Sequence, residues 1–214
     1  MNSGQNDASE QHDTPEQREK YRERMQRRKI KMEARIAKAN IDRGVFVVNT
    51  GGGKGKSSSG FGMLARSLGH GFRCGVVQFI KGRQDTAEER FFRQAGGDLL
   101  DFHICGEGFT WITQDRERDQ QAVLAGWEIA CKMLADPNYD FILLDELNIA
   151  LKHQYLSVDE VLRAVSLRPP KQHVVITGRH APDALIAAAD TVTEMRVIKH
   201  AMKAGIKAQN GIEL

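Results

Sequence analysis

The segment VVNTGGGKGKSS, residues Val47–Ser58, joins a predicted strand to a predicted helix through a glycine-rich loop. Glycines let a backbone turn tightly with its N–H groups towards phosphate oxygens, and the helix that follows adds the partial positive charge of its N-terminus. In the general phosphate-loop pattern a lysine reaches the outer phosphates and the next hydroxyl binds magnesium, roles that fall on Lys56 and Ser57. Thr50 replaces the first glycine of that pattern, and Lys54 adds a second positive charge within the loop.

A glycine-rich turn without a ligand is the alternative interpretation of this segment. The order Gly55-Lys56-Ser57 between a strand and a helix favours the phosphate site instead. The residues expected to bind a nucleoside triphosphate are Asn49, Thr50, Gly51, Gly52, Gly53, Lys54, Gly55, Lys56, Ser57 and Ser58.

Short apolar runs alternate with longer amphipathic stretches after residue 43, a pattern typical of a mostly parallel sheet with helices on both faces. The predicted strands are Val45–Asn49, Cys74–Ile80, Leu99–Ile104, Phe141–Asp145, His173–Thr177 and Thr191–Val197. The predicted helices are Lys56–Leu68, Thr86–Gln94, Asp115–Leu134, Val158–Ser166 and Pro182–Ala189. We therefore expect an α/β fold of the phosphate-loop NTPase type, with ligands beyond the carboxyl ends of the strands.

Composition divides the chain into three parts. Residues 1–14 are polar and are expected to form a disordered tail. Residues 15–43 are dense in charge with a thin apolar stripe, which predicts a helical extension. That helix could be a solvated edge element, a lid or dimer contact, or, through its Arg27-Arg28-Lys29 cluster, a nucleic-acid patch. Residues 44–214 are expected to form the ligand-binding α/β domain.

Overall composition excludes several classes of protein. The net charge of +3 on 214 residues only weakly favours a polyanionic partner, and no stretch approaches the length of a membrane-spanning helix. The cysteines Cys74, Cys105 and Cys131 are odd in number and far apart, unlike a structural zinc site or a redox dithiol. We therefore expect reduced thiols in a cytoplasmic protein.

Two further strand ends carry polar side chains that could meet the phosphate loop. Asp145 and Glu146 follow an apolar strand, where a carboxylate can hold magnesium or, alternatively, cap the next helix. Strand alternation predicts that the two carboxylates point to opposite sides. Arg179 follows another strand and could bind phosphate bidentately or form a surface ion pair.

A loop framed by glycines, Gly106–Trp111, carries two large aromatic side chains, Phe109 and Trp111. Such side chains either anchor a loop to the core or present a flat apolar surface to a ligand. Spacing alone favours the core role.

Taken in order, these motifs resemble the phosphate-loop family of ATP:corrinoid adenosyltransferases, from about Gly44 to Leu214. The C-terminal segment is the most specific part of the resemblance, because general nucleotide binding would not produce it. It departs from the family at Met202, where an aromatic residue is expected. The matching stretches are Thr50-Gly51-x-Gly53-Lys54-Gly55-Lys56-Ser57, Gln78-Phe79-Ile80-Lys81-Gly82, Gly108-Phe109-Thr110-Trp111, Leu144-Asp145-Glu146, Thr177-Gly178-Arg179 and Lys199-His200-Ala201-x-x-Ala204-Gly205-Ile206-Lys207-Ala208-Gln209-x-Gly211-Ile212-Glu213.

The resemblance implies a reaction at carbon: the cobalt(I) of a reduced corrinoid attacks the 5′ carbon of ATP, and triphosphate leaves. It assigns Lys56 and Lys54 to charge stabilisation on the leaving group, with Ser57 and Glu146 at magnesium and Asp145 as second choice. It assigns Arg179 to ATP.

The resemblance also changes the interpretation of the aromatic loop. It places Phe109 and Trp111 against the lower face of the corrin, where they displace the axial ligand and make cobalt easier to reduce. It further implies an electron donor such as a flavoprotein or reduced flavin, and a homodimer in which the N-terminal helix covers an active site. The corrinoid acceptor stays open between an early intermediate and a complete cobinamide or cobalamin, with the long extension favouring the biosynthetic type.

Two other functions remain as alternatives at the level of sequence. An ATPase or kinase acting at phosphorus would explain the phosphate loop and Asp145-Glu146, but it leaves the aromatic loop and the C-terminal segment without a role. A nucleic-acid-binding regulator that uses the basic helix explains still less, and we expect neither a nucleic acid nor a membrane as partner.

Overall fold

The computed structural model describes residues 14–80, 86–105 and 115–212. They divide into two units, one that ends at Asp42 and one that begins at Arg43. In the described residues, the first unit contains one long helix and the second contains a parallel sheet with its helices.

Helix α1, Pro15–Lys38, forms the first unit, and its start follows from its sequence. The Thr14 hydroxyl accepts from the Gln17 N–H, the Gln17 side chain accepts from the Thr14 N–H, and Pro15 occupies the first turn. No residue of α1 is buried. The helix predicted within residues 15–43 is therefore confirmed, and it ends at Lys38.

The second unit contains the elements that position the site. Its strands are β1 (Phe46–Thr50), β2 (Cys74–Gln78), β3 (Leu100–Ile104), β4 (Phe141–Asp145), β5 (His173–Thr177) and β6 (Thr191–Glu194). Its α-helices within the described residues are α2 (Lys56–Gly69), α3 (Ala87–Gly96), α4 (Arg116–Ala135), α5 (Leu147–Lys152), α6 (Val158–Ser166) and α7 (Asp183–Ala188). Short 3₁₀ turns lie at Gly97–Leu99 and Ala201–Ala204.

The strands form one sheet in the order β3-β2-β4-β5-β1-β6, and every pair runs parallel. The register aligns Asn49 on β1 with Thr177 on β5, and Gln78 on β2 with Asp145 on β4. Because all strands run the same way, their carboxyl ends meet at one edge of the sheet. The sheet therefore brings the end of β1 and the end of β4 to either side of β5.

Each face of the sheet is covered by helices with its own apolar cluster. On one face, Phe61 of α2 stacks on Phe92 of α3 with ring centroids 5.2 Å apart, above Val76 and Leu143. On the other face, α4, α6 and α7 pack against the sheet through Trp127, Val161 and Leu185. The larger set buried on this second face includes Val48, Val77, Ile142, Leu144, Val174 and Ile176. The α/β class, the parallel sheet and the helices on both faces are thus confirmed.

Several elements shift by one or two residues from the predicted bounds, for example β2, which ends at Gln78 and not at Ile80, and two elements differ by more. The pattern did not predict α5, which has only six residues and follows Glu146, an N-cap residue in a left-handed conformation that makes no side-chain capping hydrogen bond. The last strand was predicted to reach Val197 but ends at Glu194. At that point the backbone of Met195 bonds to the phosphate loop on both its N–H and its carbonyl.

Candidate active site

The glycine loop lies between the end of β1 and the start of α2, where a phosphate loop is expected. Lys56 is the first residue of α2 and only 7% exposed, and its Nζ donates to the Gly53 carbonyl at 2.6 Å. The Asn49 side chain donates to the Lys56 carbonyl at 3.4 Å. A phosphate oxygen could take the place of the Gly53 carbonyl as the partner of this ammonium group.

Met195 holds the loop from the side of β6. The Gly53 N–H donates to the Met195 carbonyl at 2.6 Å, and the Met195 N–H donates to the Thr50 carbonyl at 2.8 Å. Gly51 has φ +96°, and a Cβ there would lie 2.4 Å from the Met195 carbonyl oxygen. Glycine at this position is therefore required both by backbone conformation and by close approach.

The other predicted loop residues differ in exposure. Gly52, Lys54 and Ser58 are exposed, whereas Ser57 is half-buried in the first turn of α2. The loop therefore presents the ammonium group of Lys54 to solvent while it encloses that of Lys56.

Asp145 is fully buried at the end of β4 and is held by two donors. The Thr177 hydroxyl donates to Asp145 Oδ1 at 2.6 Å, and the Gln78 side chain donates to Asp145 Oδ2 at 2.8 Å. The same Thr177 oxygen accepts from the Glu146 N–H at 3.0 Å. Thr177 thus links the two acidic residues at the centre of the sheet edge.

Glu146 has left the strand conformation, with φ 61° and ψ 18°. The expectation that strand alternation separates the two carboxylates is therefore wrong, because alternation stops at Asp145. Glu146 occupies the N-cap position of α5, yet its side chain makes no capping hydrogen bond, so the helix-capping alternative is not supported. Both carboxylates act electrostatically on Lys56.

The charge of Lys56 depends on its surroundings. Burial lowers the pKa of the Lys56 ammonium, Glu146 and Asp145 oppose this shift, and the positive charges of Arg179 and Lys54 add to it. Arg179 itself is exposed on the turn after β5. The predicted cations and carboxylates are therefore brought together around one buried lysine.

The family model described as ATP:corrinoid adenosyltransferase BtuR/CobO/CobP matches residues 42–214. The chain belongs to this family. It is 56% identical over 201 residues to the corrinoid adenosyltransferase of Pseudomonas aeruginosa, covering 94% of this chain and 98% of the relative. It is 45% identical over 195 residues to the corrinoid adenosyltransferase CobA of Salmonella typhimurium and to the enzyme of Escherichia coli, covering 91% of this chain and 98% of each relative.

Among solved structures, the flagellar accessory protein FlaH of Methanocaldococcus jannaschii aligns over 72% of each chain, with a TM-score of 0.48 and 13% identity. The family membership confirms the resemblance found in the sequence. As a member of the ATP:corrinoid adenosyltransferase family, the chain is a transferase that adenosylates corrinoids with ATP, and the ATPase or kinase alternative is not favoured.

For an adenosyltransferase, several site residues were missed as individual candidates. Gln78 and Thr177 were noted only within motifs, although both are polar residues at the ends of apolar strands. That position, at the sheet edge shared with Asp145, is the signal that could have found them. Met195, and Asn148 of α5, whose side chain donates to the Gly178 carbonyl, carried no such signal, because their contacts depend on the fold.

Some predictions fall outside the described residues or concern metals and membranes. Phe109 and Trp111 lie in the part of the chain that is not described. Within residues 14–80, 86–105 and 115–212 no group of three or more His, Cys, Asp and Glu side chains could hold a metal ion. No helix in the same residues is long and apolar enough to cross a membrane.

Proposed function

We propose that the phosphate loop of this adenosyltransferase holds the triphosphate of ATP as a leaving group. The cobalt(I) of the corrinoid attacks the 5′ carbon, a cobalt–carbon bond forms with the electron pair of cobalt, and the carbon–oxygen bond breaks. The triphosphate leaves with the electron pair of the broken carbon–oxygen bond. The proposal is supported by the buried Lys56 at the carboxyl edge of the sheet, whose ammonium group is under the electrostatic influence of Arg179.

Charge stabilisation is the work proposed for the protein in this step. Negative charge grows on the triphosphate as the carbon–oxygen bond breaks, and we expect Lys56, Lys54 and loop N–H groups to stabilise it. Asn49 fixes the carbonyl of Lys56 and so the start of α2. No general base is required, because cobalt(I) is itself the nucleophile.

We propose that a magnesium ion binds beside the triphosphate at oxygen donors of this site. Ser57 lies in the first turn of α2 and Glu146 acts on Lys56 from the end of β4, which makes them the proposed ligands, directly or through water. Asp145 is the second choice, since both its carboxylate oxygens already accept protein hydrogen bonds. Bound magnesium would neutralise part of the triphosphate charge.

The first experiment is a direct assay of the reaction. The protein is mixed in the dark with ATP, magnesium and a chemically reduced cobalt(I) corrinoid, and the visible spectrum is followed. We expect a light-sensitive alkyl-cobalt product together with intact triphosphate. A Lys56→Ala variant should react at least about 100-fold more slowly, because it lacks a buried charge-assisted contact to the leaving group. Steady phosphate release without corrinoid, and no product, would contradict the proposal.

We extend the proposal to the aromatic loop and to the source of electrons. Phe109 and Trp111 would pack under the corrin, and an electron donor such as a flavoprotein or reduced flavin would reduce cobalt(II). Replacing Phe109 with alanine should impair the reaction that starts from cobalt(II) more than it weakens ATP binding. Equal losses in the two measurements would argue against this role.

The remaining assignments concern the whole protein. Residues 15–43 would cover the nucleotide site. In a homodimer, the covering residues would come from the partner subunit. An early corrinoid intermediate is the favoured acceptor because the extension is long and polar. A cytoplasmic location is consistent with the free thiols Cys74, Cys105 and Cys131.

A further inference from the structure

The turn that follows β5, Gly178–Ala181, has an unfavourable backbone. Gly178 has φ +127° and His180 has φ 60°, so two of its residues lie at positive φ and one of them is not glycine. A non-glycine residue in that region persists only where its surroundings hold it. The contacts at the two ends of the turn supply that support.

Two side chains from neighbouring elements fix the ends of this turn. The fully buried Asn148 of α5 donates from Nδ2 to the Gly178 carbonyl at 3.0 Å. At the other end, the Thr50 hydroxyl oxygen accepts from the Ala181 N–H at 3.1 Å. Thr50 ends β1, so the second contact joins the turn directly to the start of the phosphate loop.

Arg179 lies between these two fixed ends. Its side chain is exposed to solvent. Its positive charge nevertheless acts on buried Lys56. Two cations that interact electrostatically, one buried and one exposed, suit a ligand with several negative charges.

Thr50 is the residue that departs from the general phosphate-loop pattern, where glycine is usual. Its backbone is extended and pairs with Glu194 of β6, so this position does not need the conformational freedom of glycine. A glycine here could not accept the Ala181 N–H, because the acceptor is a side-chain oxygen. The substitution of glycine by threonine therefore creates a contact between the loop and the Arg179 turn.

We propose that Thr50 is a positioning residue whose hydroxyl fixes the turn after β5 so that Arg179 binds the departing triphosphate. This inference rests on the proposed function, in which the triphosphate lies on the phosphate loop. Thr50 acts through Arg179, and its contribution to binding disappears when Arg179 is absent.

The test is a double-mutant cycle on binding of magnesium tripolyphosphate, measured by calorimetry without corrinoid. Thr50→Val keeps the shape of the side chain but removes the acceptor, and should weaken binding about three- to tenfold. Arg179→Ala should weaken it at least about tenfold. In the double variant, the loss should equal that of Arg179→Ala alone.

Two further variants separate positioning from general damage. Thr50→Ser retains a hydroxyl and should bind tripolyphosphate within about twofold of the original protein, since a serine oxygen can accept the same N–H. Thr191→Val is the matched control. Thr191 is an exposed threonine at the start of β6, whereas Thr50 pairs with Glu194 at the end of that strand, so the variant should leave the affinity for tripolyphosphate unchanged. Urea unfolding of every variant shows whether the fold is retained.

The outcomes distinguish the inference from the proposed function. Additive losses in the cycle, or no loss in Arg179→Ala, would overturn the positioning role while leaving the phosphate loop in place. If the original protein binds neither ATP nor tripolyphosphate, the proposed function is overturned together with the inference. Non-additive losses with rescue by Thr50→Ser would support the positioning role.

Discussion

The residues at the carboxyl edge of the sheet form a continuous row of buried polar side chains. Asn49, Gln78, Asp145 and Thr177 are each 1% exposed or less, on four adjacent strands. Buried polar groups destabilise the fold unless they are hydrogen-bonded. Here the Thr177 hydroxyl donates to the Asp145 carboxylate and accepts from the Glu146 N–H. Thr177 therefore controls the geometry of both acidic residues.

Replacing Thr177 with valine tests this control. The valine has a similar shape, but Asp145 Oδ1 and the Glu146 N–H both lose their partner. We expect the free energy of unfolding to fall by about 2 to 3 kcal/mol, measured with urea at pH 7. Thr177→Ser keeps the hydroxyl and should lose much less; equal losses in the two variants would show that methyl packing, not hydrogen bonding, is responsible.

Substitution by alanine should change the free energy of unfolding in opposite directions at Gly51 and Gly62. At Gly51 a new Cβ would contact the Met195 backbone at positive φ, so alanine should cost more than about 2 kcal/mol and should weaken ATP binding. At Gly62, in the exposed part of α2, a Cβ would contact nothing within 4 Å. Alanine there should raise the free energy of unfolding by about 0.5 to 1 kcal/mol. Thermal or urea unfolding compares the two; a stable Gly51→Ala protein would contradict the tight approach to Met195.

At the residue scale the sequence correctly placed the glycine loop between a strand and a helix, because the pattern of its glycines and Lys56 is local, while phosphate binding by the loop stays a prediction. It predicted the positions of Asp145 and Glu146 but not their geometry, since the left-handed conformation of Glu146 has no sequence signal comparable to glycine. The role of Thr50 could not be inferred, because its partner lies 131 residues away in the sequence.

At the scale of elements, strong apolar runs gave accurate boundaries. The predicted limits Phe141–Asp145, Val158–Ser166 and His173–Thr177 agree with the structure residue for residue. The structure shows in addition that Ser157 and Glu160 form a capping box at the start of α6. Helix α5 has neither length nor a capping side chain, so its formation depends on packing against β5.

The Asp190 carboxylate, which directly precedes β6, links this strand to the start of β1 through hydrogen bonds. The Arg43 guanidinium donates to both Asp190 oxygens, and the Phe46 N–H donates to Oδ2 at 2.8 Å. The hydrogen bonds from Arg43 hold the pKa of Asp190 below its usual range, with further support from the Phe46 N–H and the nearby charge of Arg168. The ionised form is thus favoured by the fold.

The hydrogen bonds of the Asp190 carboxylate should make the free energy of unfolding depend on pH. Because the folded pKa is depressed, the contribution of Asp190 is complete above its ordinary pKa of about 3.9 and is lost as pH falls through the folded value. Asp190→Asn should lower the free energy of unfolding by about 1 kcal/mol at pH 7, with the difference shrinking as the pH falls below the ordinary pKa of an aspartate. Urea unfolding across this range, with Arg43→Gln as a second way to break the pair, checks it. A difference that is independent of pH would contradict the assignment.

At the scale of the whole molecule, the strand order could not be predicted from the sequence. Each parallel pair joins segments far apart in the chain, and no local pattern specifies that β5 lies between β1 and β4. That order is what places Thr177 beside Asp145 and brings the Arg179 turn to the phosphate loop. The chemistry of the site was therefore visible in its residues, while their arrangement was not.

The N-terminal extension provides the last prediction. Helix α1 carries ten basic and four acidic residues, and none of its residues is buried. A variant that lacks residues 1–42 should therefore keep the urea midpoint of the full chain, because it loses little buried apolar surface. If the helix covers the nucleotide site as proposed, the same variant should lose corrinoid adenosylation while tripolyphosphate still binds. An insoluble product or a lowered midpoint would assign α1 to the core instead, and undiminished adenosylation would show that catalysis needs only the unit beginning at Arg43.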